Sequence, residues 1–289
     1  MKSLKQQLRG VGMSLYLAVA PLGAGAEVVF TQIAEFDVPE ADQGIAVDKD
    51  HFYAVDNRTI AKYDKATGTL VNRWEDAADG SMIHLDSAMV RNGKLYAAHS
   101  NWRRLPMTSS IEVWDVRTMA HIASYSLGRK LGSFTWFDYH DGYWWGTFAN
   151  YDRLGPDGNP YGGTINTTLA QFDKDWNILQ TWIFPPELLE RFEIMSNSGG
   201  SWGPDGHLYL TGHDLAEVYR VRLPEIGSVL EVEEIIPLNV RGQGIAWDRH
   251  ENSDLYGIIR ATDEEEAQGI GNKVVVFRSN IPAKLANGN

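Results

Sequence analysis

Three observations predict an all-β fold: helical periodicity is nearly absent, five hairpins centred on an aromatic recur along the chain, and one β-type segment at the start lacks a neighbour. Together they predict a five-bladed β-propeller of four-stranded antiparallel blades, its ring closed by the N-terminal strand. The hairpins read QGIAVDKDHFYAVDN (43–57), DSAMVRNGKLYAAHSN (86–101), GSFTWFDYHDGYWWGTFAN (132–150), SGGSWGPDGHLYLTGHD (198–214) and QGIAWDRHENSDLYGIIR (243–260). Their central aromatics, Tyr53, Tyr96, Trp145, Tyr209 and Tyr256, lie 43, 49, 64 and 47 residues apart, which is the size of a propeller blade.

A second hairpin follows most of the first ones. Tyr63-Asp64, Trp114-Asp115 and Phe172-Asp173 open its turn, where the aspartate supplies a side-chain acceptor, and the fourth unit uses Pro224 and Gly227 instead. The last unit offers only three strands, near Gly244–Trp247, Leu255–Ile259 and Lys273–Phe277. EVVFTQIAEFDV (27–38) supplies the fourth and hides an edge that would otherwise invite aggregation. The long third step holds a Gly/Pro/Asn-rich loop and a short helix at Pro186–Phe192, so no sixth blade is needed. Trp114, Trp144 or Trp145, and Trp182 are expected to pack between blades.

Residues 1–26 read as a cleavable leader. Lys2, Lys5 and Arg9 precede the apolar run Val11–Ala20, Pro21 breaks it, and Ala24-Gly25-Ala26 is an A-x-A site. The run is shorter than the ~20 residues of a spanning helix, and the absent cysteine excludes a thioether lipid anchor. The expected product is a periplasmic or secreted chain, 27–289, with no membrane anchor. Since the leader carries three bases and no acid, cleavage would move the net charge from −12 to −15.

That charge argues against nucleic acid as a partner. Zero cysteines exclude a disulfide scaffold, a thiolate metal site and a cysteine nucleophile. There is no HExxH, no EF-hand loop, no G-x-S-x-G elbow and no phosphate loop, and the acidic run Asp263–Glu266 reads as a solvated loop. A calcium or zinc ion on the channel axis, with ligands from different blades, would leave no such motif, so the cofactor is open. The oligomeric state is not legible.

In a propeller, which this repeat resembles, the loops entering each inner strand and those joining second to third strands share one face. Three of them are long here: 99–110, 150–168 and 261–272. An Asn92-Gly93 turn would pair Asp86 with His99 and His84 with Asn101. A Lys49-Asp50 turn would set Gln43 opposite Asp56 and Asp42 opposite Asn57, and an Asp205-Gly206 turn would set His213 opposite Ser198 and Asp214 opposite Asn197. Arg260 ends the second strand of the last blade. The candidate catalytic set is therefore His99, Asp86, His84, His213 and Asp214, with an Asp86–His99 pair as the acid–base centre. Candidate substrate contacts are Gln43, Asp56, Asn57, Asn101, Arg103, Trp136, Asn150, Asp152, Trp202, Gln243 and Arg260, the last for an anionic group. The same pairs could instead tie strands together, as Asp/His/Ser networks do in WD-repeat propellers. His51, His121, His140, His207 and His250 fall on turns or outer strands, where solvated or packing roles are expected.

The QGIA segments at 43–46 and 243–246 and the Thr135-Trp136 pair resemble segments of glutaminyl-cyclotransferase-like propellers, and the whole chain resembles those, the streptogramin-lyase-like and the quinoprotein-like propellers. The resemblance carries over no catalytic residue. With the leader and the polar cluster, the leading expectation is an exported enzyme acting on a small polar substrate by acid–base chemistry at the channel mouth, of lyase, cycloisomerase or cyclotransferase type. The alternative is a non-catalytic periplasmic binding or assembly module for a protein or glycan.

Overall fold

The ring closes where strand β1 (Phe30–Asp37) meets the last strand of the chain. The computed structural model describes residues 27–129, 131–250 and 252–282, so the expected leader and its cleavage site lie outside the described residues. Blade one holds β2 (Gly44–Val47), β3 (His51–Asp56), β4 (Thr59–Asp64) and β5 (Leu70–Glu75); blade two holds β6 (His84–Arg91), β7 (Lys94–Ser100), β8 (Ser109–Asp115) and β9 (His121–Gly128). Blade three holds β10 (Ser133–His140), β11 (Tyr143–Ala149), β12 (Thr168–Phe172) and β13 (Ile178–Ile183). After helix α1 (Pro186–Phe192) come β14 (Gly199–Trp202), β15 (Leu208–Thr211), β16 (Glu217–Arg222) and β17 (Glu231–Pro237) of blade four. β18 (Ala246–Trp247), β19 (Leu255–Ile259) and β20 (Lys273–Ser279) complete blade five with β1, which runs antiparallel to β20 from Phe30 opposite Ser279 to Asp37 opposite Lys273.

The five-bladed, four-stranded architecture and its closure by the N-terminal strand are thus as the repeat predicts. The aspartate turns are as well: Asp64 and Asp115 each accept from the backbone two and three residues on, and Asp173 from Asp175 and Asn177. One loop differs. The run from Asp263 forms helix α2 (Asp263–Ala267) because Thr262 and Glu265 cap each other's backbone amides, a T-x-x-E capping box.

Aromatics packed between blades supply the core. Phe52 stacks on Tyr63 at 5.2 Å and touches Tyr256 of blade five, while Trp114, Trp144, Trp145 and Trp182 are buried as expected. Each such side chain stabilises the fold by about 1.5–3 kcal/mol, so the interfaces are where a chain without disulfides finds its stability.

Packing is also tight on the axis. A Cβ at Gly44 would lie 2.6 Å from the Ser87 Cα, and one at Gly244 would lie 2.7 Å from the Gly44 Cα. Three inner strands therefore meet with almost no side chain between them. β6 accommodates this with a bulge between Leu85 and Ala88, and β10 with one between Phe134 and Trp136. Gly44→Val should lower stability by about 2–3 kcal/mol in urea unfolding, because the neighbouring backbone cannot yield. Gly271→Ala, which meets nothing within 4 Å, should stay within about 0.5 kcal/mol.

Candidate functional site

Above the axial pinch lies a cavity of about 530 Å³. Its floor takes one residue from the head of each inner strand: Gln43, Asp86, Thr135, Ser198 and Gln243. Four of these stand directly before the small residue that meets its neighbours near the axis, namely Gly44, Ser87, Gly199 and Gly244. Thr135 occupies the β10 bulge. Steric crowding on the axis thus lifts five short polar side chains toward one opening. Gln243, only 2% exposed and at φ 64, makes no side-chain hydrogen bond among the described residues.

The wall comes from the loops. Asn57 follows β3, Trp102 and Arg103 lie between β7 and β8, Tyr151 and Arg153 between β11 and β12, and His213 and Arg260 follow β15 and β19. The Trp102 ring packs 4.1 Å from Tyr151 and 4.9 Å from Tyr161, a small cluster that fixes both long loops against each other.

Hydrogen bonds settle how the imidazoles sit. The Asn57 amide donates to Asp56 at 2.9 Å and Asp42 at 3.3 Å, so its carbonyl oxygen is the acceptor for His84 Nδ1–H at 2.5 Å. His84 Nε2 then faces Asp86 Oδ2 at 3.5 Å. Burial pushes the Asp86 carboxyl up from its ordinary 3.8, against the pull of His84 and the Ser87 amide. Burial likewise raises Asp42, which Arg260 at 3.9 Å only partly offsets. It raises the Tyr151 phenol too, assisted by the charge of Asp86.

His213 is the reverse case. Its Nδ1–H donates to Asp214 at 2.6 Å, a bond that lowers the Asp214 carboxyl, and its Nε2 accepts from Arg260 at 3.2 Å. It positions the guanidinium.

Of the residues expected at the site, His84, Asp86, His213, Gln43, Asn57, Arg103, Gln243 and Arg260 line the cavity. The Asp86–His99 pair does not form: the β6 bulge puts Leu85 opposite His99 and His84 opposite Ser100. His99 is not a cavity base, because its Nε2 accepts the Ile83 amide at 3.1 Å and its Nδ1 bonds Ser110 at 2.9 Å. Blade four is shifted as well, since Pro204-Asp205-Gly206 forms a three-residue turn and Gly199, not Gly200, pairs with Thr211. Asp214 stands behind His213, and Asp56 serves the Asn57 amide. Asn101 spans its loop from Pro106 to Thr108, Asn150 binds the Leu131 and Asn166 carbonyls, and Asp152 takes the Thr164 hydroxyl. Trp136 is buried with its indole N–H on Asn197, and Trp202 lies at the far end of β14, stacked on His140. These eight shape the scaffold and do not line the cavity.

Asp42, Trp102, Thr135, Tyr151, Arg153 and Ser198 line it in addition. For the floor, the readable signal is the residue before the small one at each inner-strand head; the loop residues carry none. The axial residues Gly44, Ser87 and Gly244 offer no carboxylate or imidazole set for an axial calcium or zinc ion, and among the described residues no three His, Asp or Glu side chains form a metal-ligand group. A second cleft of about 730 Å³ on the opposite face is built from hairpin turns. Its Asp48 is occupied by Tyr53 and backbone amides, and its Arg249 by Asp138.

Known structures share the fold at low identity. The glutaminyl cyclase of Myxococcus xanthus is 10% identical with a TM-score of 0.54, over 88% of this chain and 98% of that one. The PQQ-bound aldose sugar dehydrogenase of Streptomyces coelicolor is 10% identical with a TM-score of 0.51, over 89% and 100%. A streptogramin B lyase is 14% identical with a TM-score of 0.46, over 81% and 82%. What they have in common with this chain is the β-propeller. No family model matches the sequence, and neither does any curated protein.

Burial holds His99 below its ordinary 6.5, so the unfolded chain binds a proton there that the native one does not. Stability should therefore fall as pH drops below about 6.5, and His99→Gln should flatten that slope in urea titrations between about pH 5 and 7. The same variant should cost about 1 kcal/mol at neutral pH, since it removes the acceptor of the half-buried Ile83 amide.

Proposed function

We propose that this propeller is an exported enzyme that moves a proton on a small polar substrate held in the 530 Å³ cavity. The observation that carries the reading is the His84–Asp86 contact at 3.5 Å on the cavity floor, with the other His84 nitrogen committed to Asn57. The Asp86 carboxylate can take a proton from one substrate atom and, as the neutral acid that its burial favours, return it to another, which leaves Asp86 as it began. Gln43, Ser198 and Gln243 would orient the substrate by hydrogen bonds, and Arg260, steadied by His213, would meet an anionic group. Lyase, cycloisomerase and cyclotransferase reactions all require such a transfer. The fold alone selects none of them, because the propellers it resembles include a cyclase, a lyase and a dehydrogenase. Export rests on the leader-like residues 1–26.

The test is a panel of small polar metabolites incubated with the protein in D₂O and followed by mass spectrometry. At least one compound should gain deuterium or change its retention, and Asp86→Asn should slow that change by about 10²–10⁴-fold with its melting temperature preserved. If no compound changes, or if Asp86→Asn acts as fast as the parent, the acid–base reading fails and a binding module remains.

A further inference from the structure

The chain is acidic, with a net charge of −12, yet its cavity is not. Arg103, Arg153 and Arg260 line it against two carboxyls, Asp42 and Asp86. Burial disfavours the charged form of both acids. The result is a positive concavity in a negative surface, and a cleft with low-dielectric walls focuses such a field.

The arginines are not used up by the fold. Among the described residues the Arg153 side chain makes one hydrogen bond, to the Met195 sulfur at 3.1 Å, and neither it nor Arg103 has a carboxylate within ion-pair distance. Arg260 reaches Asp42 only at 3.9 Å and is held from behind by His213. Below them, the Gln243 side chain makes no hydrogen bond among the described residues and lines the cavity, so its amide is available to whatever fills it.

We propose that the natural ligand of this cavity is a small carboxylate, its anionic end at Arg103, Arg153 and Arg260, its body against Trp102, and a polar group on Gln243. The guanidinium fork matches two coplanar carboxylate oxygens. Beside Asp86, the floor offers the neutral amides and hydroxyls of Gln43, Thr135, Ser198 and Gln243, which suit a neutral polar group. This rests on the reading that the cavity is the substrate site, but not on the proton transfer.

Binding separates the two. The probes are malonate, succinate and glutarate, their diamides, and inorganic phosphate, titrated by Trp fluorescence and calorimetry into the full chain. At least one dicarboxylate should bind at least ten-fold tighter than its diamide and than phosphate, and weaken as salt is raised. The variants Arg153→Met and Arg103→Met, both at exposed positions, should weaken it by ten-fold or more without shifting the melting temperature. Equal binding of acid and amide, no dicarboxylate binding below about 10 mM, tighter phosphate binding, or affinity unchanged by both arginine variants would overturn the carboxylate. Carboxylate binding in a chain that exchanges no proton would instead overturn the acid–base reading and leave this one standing.

Discussion

The close approach of the inner strands at the ring axis governs the rest of the molecule. Gly44 and Gly244 admit no Cβ beside Ser87, so the heads of these strands meet backbone to backbone. Two consequences follow. The channel is pinched at that level, which gives the upper cavity a floor, and the residue just before each small one turns up into it. Bulges in β6 and β10 are the local adjustments that let longer strands reach the same level. Stability and site geometry thus share one cause.

A second layer of order comes from side chains that bond one another before they meet a ligand. Asn57 links Asp42, Asp56 and His84, and by fixing its own orientation it fixes which His84 nitrogen carries the proton. Asp214 does the same for His213, which then directs Arg260. The two histidines accordingly differ: one keeps a nitrogen toward a buried acid in the cavity, while the other has both nitrogens engaged and serves as a support. Burial makes the first arrangement consequential, because it disfavours the charged form of Asp86.

Much of the fold was legible because its signals are local and repeated. Aromatic-centred hairpins, aspartate turns and a spare first strand fix the blade number and the closure, and the Lys49-Asp50 turn correctly sets Gly44 opposite Val55. The site was legible only in part. Half the expected residues face the cavity, and the ones that fail do so for particular reasons. A bulge at Asp86-Ser87 leaves no two-residue mark in the sequence, so counting from the Asn92-Gly93 turn carries the register one residue too far and pairs Asp86 with His99. Asn101, Asn150 and Asp152 sit in the right loops, but polar side chains in long loops bond the loop's own backbone first. Arg153 and Tyr151 come from one of those same loops and reach the cavity through tertiary packing that no spacing encodes.

The central claim is that Asp86, buried beside His84, is the group that takes and returns the proton. Carbon-detected NMR titration of the Asp86 carboxyl reads this directly. The account predicts that Asp86 titrates above its ordinary 3.8, and higher still in His84→Gln, because burial raises it and the His84 contact lowers it. An Asp86 that ionises at or below 3.8 would contradict the account.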